Sequence, residues 1–194
     1  FSVVLFVLLY SVMSMAEDEQ LAEIFERNNA NGTIVISSID GRETLIHNNS
    51  RADYRFSTAS TFKILNSLIA LEERVVSSKD SILKWNGTQY DYPSWNHDQT
   101  IESAFKASCV WCYQELAKII GVEKYRIYLK KLHYGHLDEP FNETTFWLDG
   151  SLKISAREQI KFLKQIYHRT LPFSESSYNV LQEIMIAEES DSYT

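Results

Sequence analysis

The chain is poor in cysteine, in clustered basic charge and in long apolar runs, and each shortage closes off a class of explanation. Its two cysteines, Cys109 and Cys112, stand in SCVWCYQEL. A C-x-x-C pair can be half of a zinc site or a redox pair. No second pair exists, so a structural zinc site is not expected. The flanking residues have the apolar spacing of a helix, where cysteines read as small buried thiols, with a redox pair as the alternative. Lysine and arginine number 19 against 26 aspartates and glutamates, a formal net charge of -7. An acidic chain with no basic cluster is a poor partner for nucleic acid. There is no repeat and no low-complexity tract.

The longest apolar run, Val3 to Val12, falls short of the roughly 20 residues that a membrane span needs. Small residues follow it at Ser14-Met15-Ala16. The pattern is that of a secretory signal's apolar region and cleavage site, which assigns residues 1–16 to a leader. Its charged start is not in the sequence, which opens on Phe1 rather than Met. Export places the mature part outside the cytoplasm, in the periplasm of a Gram-negative cell, without a stable membrane anchor.

What the chain does have is a large apolar content, 44% hydrophobic and 13% aromatic over 194 residues. That supports one core and one domain, residues 17–194, and argues against disorder. Residues 17–29 have helical spacing, with Leu21, Ile24 and Phe25 on one side. NGTIVISSIDGRETLIHN reads as a hairpin whose two β-branched runs flank Asp40-Gly41, a pair suited to a tight type I′ turn. Residues 77–100 form a long loop whose aromatics imply ordered packing. A helix is expected from about Ile101 to Ile120, stopped by Gly121, and another from Val122 to His133, stopped by Gly135. Ser155 to Glu158 is a capping box that opens a helix through Tyr167. A last helix covers roughly Ser176 to Ala187. One hairpin is marginal by itself and needs further strands, which the visible sequence does not supply.

The chemistry concentrates in FSTASTFKILNSLIALEE, residues 56–73. Ser60 and Lys63 are three apart and share one helix face. A serine hydroxyl is a weak nucleophile that needs a base. Lysine is normally a cation, but burial penalises the ammonium form and lowers its pKa. With Phe62, Ile64, Leu65 and Leu68 around it, Lys63 can be desolvated enough to act on Ser60. The S-x-x-K spacing alone is common by chance, so other motifs must support it.

They do. Ser60-Thr61-Phe62-Lys63 resembles the nucleophile motif of the penicillin-recognising serine enzymes, and within them that of the class D β-lactamases. Ser108-Cys109-Val110, followed by Trp111, is similar to that family's S-x-V. Tyr134-Gly135-His136 is similar to its Y-G-N, and Phe146-Trp147-Leu148 to its FWL. The resemblance runs in order from residue 17 onward. It implies an α+β fold of the β-lactamase/transpeptidase type, a helical region with an antiparallel sheet. It implies hydrolysis of a β-lactam, a small-molecule substrate, by a monomer or homodimer without a metal cofactor. Ser60 would be the nucleophile. Lys63, carboxylated on its nitrogen by CO2, would be the base, and Ser108 the relay of a proton to the lactam nitrogen. Val110 would keep the pocket apolar, and Trp147 would donate its indole N–H to the carbamate. Leu148 and Tyr134 would support the site. The Ser60 N–H would form part of the oxyanion hole.

Two departures stand out. His136 replaces the usual asparagine, which implies altered loop geometry or reduced stability rather than lost chemistry. The K-[TS]-G motif of the substrate-binding strand is absent, and its place would be past Thr194, as in a chain truncated at its C-terminus. The alternatives are the sensor domain of a β-lactam receptor, a cell-wall transpeptidase, and an inactive truncated relative. Val110 argues against the sensor, where a polar residue is expected.

Overall fold

The computed structural model describes residues 17–186. The leader assigned to 1–16 and the end of the last expected helix, at Ala187, lie outside the described residues. The chain divides after Asp53 into two compact units.

In the first unit, helix α1 (Glu19–Arg27) begins at Asp18, whose carboxylate accepts the Leu21 N–H at 2.9 Å. The hairpin follows as β1 (Ile34–Ser37) and β2 (Thr44–His47), antiparallel with Ile34 opposite His47, and then the short helix α2 (Asn49–Ala52). The expected two-residue turn is in fact a wider loop, closed by the Ser38 N–H on the Glu43 carbonyl. The Asp40 carboxylate accepts from the Arg42 N–H and the Ser38 hydroxyl, an Asx-type closure that stabilises the longer loop. Gly41 supplies its left-handed residue, at φ 76°.

The second unit is built round a buried helix. In chain order it contains β3 (Phe56–Ser57), α3 (Phe62–Glu72), β4 (Ile82–Leu83), β5 (Gln99–Thr100), α4 (Ile101–Lys106), α5 (Val110–Ile120) and α6 (Val122–Leu132). Then come β6 (His136–Leu137), β7 (Leu152–Ile154), α7 (Ala156–Tyr167) and α8 (Glu175–Met185). Residues Leu65 to Leu71 of α3 are all buried, so the helix is enclosed on every side, as its nearly continuous apolar sequence requires. Of its two polar residues there, Ser67 meets the Tyr113 hydroxyl at 2.8 Å and the Asn66 Oδ1 accepts from the Tyr125 hydroxyl at 2.8 Å, while the Asn66 Nδ2 is buried with no partner among the described residues. Helices α5 and α8 pack on α3, and α4 packs on α8. The order β3-β7-β6 makes a small antiparallel sheet, and β4-β5 a second one. These strands of two or three residues were not anticipated from sequence.

Three further expectations are corrected. The single helix over 101–120 is two, α4 and α5. Between them Ser108 is left-handed at φ 52°, and the Cys109 N–H closes α4 on the Ala104 carbonyl at 2.9 Å. Helix α6 ends on His133 at φ 49°, with the Tyr134 N–H bonded to Leu129. Gly135 serves the sheet instead of the helix end. A Cβ there would lie 2.1 Å from the Lys153 carbonyl oxygen, so only glycine lets β6 approach β7. Finally, Cys109 and Cys112 are buried as expected, but joined in a disulfide rather than free thiols. The capping box at Ser155 is present, with both of its hydrogen bonds.

Candidate active site

Ser60 sits in a 3-10 turn, residues 59–61, that leads into α3. The turn is held from outside. The Trp147 carbonyl accepts from the Ala59 N–H at 2.8 Å and from the Ser57 hydroxyl at 2.9 Å. The Thr58 N–H reaches the Leu152 carbonyl at 3.2 Å, and the Thr61 hydroxyl bonds back to the Thr58 carbonyl at 2.6 Å. These bonds hold Ala59 at φ 43°, a conformation that alanine adopts only under restraint. The result is an exposed serine hydroxyl on the rim of a buried helix.

Lys63, the second residue of α3, is half-buried, and desolvation holds its ammonium group below the ordinary lysine range. The Phe105 ring lies 5.8 Å from its Nζ. Nζ donates to the Ser108 Oγ at 2.5 Å, and that oxygen is 3.0 Å from the Ser60 Oγ. Three residues that the sequence had placed together are thus brought together, with one detail it had not foreseen. The Ser108 hydroxyl stands between the Ser60 hydroxyl and the Lys63 amine, so the three groups form one hydrogen-bonded chain: Ser60, Ser108, Lys63. It can do so because the α4–α5 break turns its side chain out of the helical path.

The other expected residues are placed differently. Val110 is the first residue of α5, partly exposed. Trp147 is buried, its ring stacked at 5.9 Å on Phe62 and edge-on at 5.1 Å to Phe146, and it touches the Ser60 turn through its carbonyl. Tyr134 is also buried, packed on Phe62 at 6.0 Å and on Phe162 at 4.8 Å, and burial raises its pKa above the ordinary tyrosine value. It supports the start of α3 from within the core. Leu148 is exposed. His136 lies on the exposed strand β6, 3.1 Å from the Asp138 carboxylate, which also receives Lys153 at 2.8 Å.

Sequence reasoning missed Ser57 and a pair of indoles. The Trp111 N–H donates to the Trp95 carbonyl at 2.9 Å, and the Trp95 N–H donates to the Ala107 carbonyl at 3.0 Å, next to Ser108. The available signal was that an indole N–H in a packed region must find an acceptor. Among the described residues no group of three or more His, Cys, Asp or Glu side chains is placed to hold a metal ion, and no helix is long and apolar enough to cross a membrane.

The chain is similar to known proteins over most of its length. Residues 13–194 match the model of the penicillin-binding protein transpeptidase domain. The chain is 40% identical over 174 residues to β-lactamase OXA-20 of Pseudomonas aeruginosa, covering 89% of this chain and 65% of that protein. It is 37% identical over 175 residues to the regulatory protein BlaR1 of Bacillus licheniformis, covering 90% of this chain and 29% of that one. The fold superposes on the crystal structure of FUS-1 (OXA-85), a class D β-lactamase from Fusobacterium nucleatum subsp. polymorphum, with a TM-score of 0.86. That match has 37% identity and covers 91% of this chain and 73% of that one.

Proposed function

The chain belongs to the class D β-lactamases, within the penicillin-binding protein transpeptidase-domain family, and from that premise we propose that it hydrolyses the β-lactam ring of penicillin-type antibiotics through an acyl-enzyme on Ser60. In the cell that exports it, this activity gives antibiotic resistance. The observation that carries the reading is the Ser60–Ser108–Lys63 relay, with 3.0 Å between the two hydroxyl oxygens and 2.5 Å from Ser108 to the amine.

In this reading the Ser60 Oγ attacks the lactam carbonyl carbon as its proton leaves along the relay toward residue 63. The developing oxyanion faces the Ser60 N–H at the start of α3. The ring C–N bond breaks as Ser108 delivers a proton to the departing nitrogen and is reprotonated from residue 63. The ester on Ser60 is then hydrolysed by water. Lys63 suits N-carboxylation by CO2, because desolvation favours the neutral amine, the form that attacks CO2. The carbamate would supply an anionic base there, with the Trp147 indole N–H as the donor that compensates its burial. Val110 closes the apolar side, while Tyr134 and Leu148 support the walls. The disulfide supports export to the periplasm, since such bonds persist in oxidising compartments.

A second reading, the sensor domain of a β-lactam receptor, is favoured by the match to BlaR1. A sensor keeps its acyl group; a hydrolase releases it. The full natural protein is expected to turn over a penicillin, faster with added bicarbonate, and Lys63→Ala is expected to lose that turnover. A stoichiometric adduct on Ser60, seen by mass spectrometry and persisting without turnover, would overturn the hydrolase in favour of the sensor.

A further inference from the structure

Most of the described helices begin on a side-chain cap, and three, α3, α5 and α6, do not. Helices α1, α4, α7 and α8 each carry an oxygen-bearing side chain at the N-cap, Asp18, Thr100, Ser155 and Ser174, which accepts from the N–H three residues on. Of these three starts, that of α3 continues a 3-10 turn and that of α6 follows Gly121, while that of α5 carries a covalent link. Its N-cap is Cys109, which makes no side-chain capping hydrogen bond. The residue three positions on is Cys112, and the two are joined by a disulfide. The same pair of positions is linked, covalently rather than by a hydrogen bond.

This link is next to the relay. Ser108 immediately precedes the N-cap and is left-handed, a conformation that a non-glycine residue keeps only when its surroundings impose it. On its N-terminal side the Ser108 N–H and Cys109 N–H bond to the carbonyls of Phe105 and Ala104 at 3.1 and 2.9 Å, which fixes the end of α4. On its C-terminal side the first turn of α5 has no polar cap to fix it. Both cysteines are fully buried, so the bond is part of the packed interior and not an exposed exchange site.

We propose that the Cys109–Cys112 disulfide is a covalent N-cap for α5 that positions Ser108, holding its Oγ between Ser60 and Lys63. Cys109 and Cys112 are positioning residues for proton transfer during acylation. This deepens the hydrolase reading and rests on it. Without the bond, the first turn of α5 frays, Ser108 relaxes toward an ordinary φ, and its hydroxyl leaves the relay.

The test uses the full natural protein and three variants: Cys109→Ala/Cys112→Ala, Cys109→Ser/Cys112→Ala and Cys112→Ala. Alkylation of the denatured, unreduced parent should modify neither cysteine. In stopped-flow acylation by a penicillin, the Ala/Ala chain should acylate about tenfold more slowly, the scale set by loss of one N-cap. The Ser/Ala chain should recover most of the rate, because a serine hydroxyl can cap α5 as it caps α7 and α8. A purely structural bond would lower thermal stability in both variants alike and give no such rescue. If the Ala/Ala chain does not fold, Cys112→Ala, which breaks the bond with one substitution, replaces it. Two free thiols in the parent, an unchanged acylation rate in the disulfide-free chain, or no rescue by serine would each overturn the proposal. A parent that is not acylated at all would overturn the hydrolase reading and the role in acylation. Hydrogen exchange over residues 107–116 would then still decide the cap itself, which predicts faster exchange in the Ala/Ala chain than in the Ser/Ala chain.

Discussion

The two turns that bring hydroxyls to the site, residues 57–61 and 107–109, carry similar strain and are restrained by opposite means. Each has a left-handed non-glycine residue, Ala59 at φ 43° and Ser108 at φ 52°. Each such residue costs about 1–2 kcal/mol unless its surroundings compensate. The first turn is held by partners distant in sequence, the carbonyls of Trp147 and Leu152, which lie at and just before strand β7. The second is held mainly by neighbours within a few residues, the last bonds of α4 and the Cys109–Cys112 bond, and by one indole from twelve residues away, the Trp95 N–H on the Ala107 carbonyl. One serine is therefore registered to the sheet and the other to a helix junction. Their oxygens meet at 3.0 Å only if both scaffolds are in place.

Breaking the meeting itself should have the largest effect. Ser108→Ala keeps the backbone, removes the oxygen that joins Ser60 to Lys63, and should slow acylation by about 10²–10⁴-fold, the usual worth of a positioned proton-transfer group. Stopped-flow measurement with a chromogenic β-lactam reads the rate directly. A loss smaller than about threefold, against that expected scale, would mean that residue 63 reaches Ser60 without the relay.

The comparison can be sharpened by relieving one turn alone. Ala59→Gly removes the left-handed penalty from the first turn and leaves the second untouched. The gain is offset by the greater freedom of glycine in the unfolded chain, so the net stabilisation should be at most about 1 kcal/mol. The urea midpoint should rise. A fall of the midpoint would show that the hydrogen bonds from Trp147 and Leu152 already compensate Ala59 in full.

The two turns also differ in how far the sequence shows them. Ser60 and Lys63 were legible because i, i+3 proximity is a local property of a helix, whatever packs around it. The capping box at Ser155 was legible for the same reason. The break at Ser108 was not, because Ala107-Ser108-Cys109 contains neither glycine nor proline. Its left-handed residue is imposed by contacts, not by propensity. Strands β3, β6 and β7 were missed since two or three residues cannot display an alternating pattern. Burial of both cysteines was legible from apolar spacing, but that spacing is the same for two thiols and for a disulfide.

The smallest effect is expected at His136, which is tied to the first turn through a single strand. In β7, Lys153 pairs with Ser57 of β3 on one side and with His136 of β6 on the other. A change at 136 could thus reach Ser60 through the sheet. The side chain itself is a weak lever. It is 57% exposed, and its contact is with Asp138, which Lys153 also engages. Exposed ion pairs contribute about 0–1 kcal/mol, and the backbone pairing of β6 with β7 does not depend on which side chain residue 136 bears. The close approach is secured by Gly135 instead. His136→Asn should therefore shift the unfolding free energy by no more than about 0.5 kcal/mol, as expected for a surface substitution, in the stabilising direction if histidine disfavours the family's loop geometry. Acylation should be unchanged. A larger shift in the urea midpoint, together with a changed acylation rate, would show that the third motif sets the register of β7, and through it the placement of Ser60.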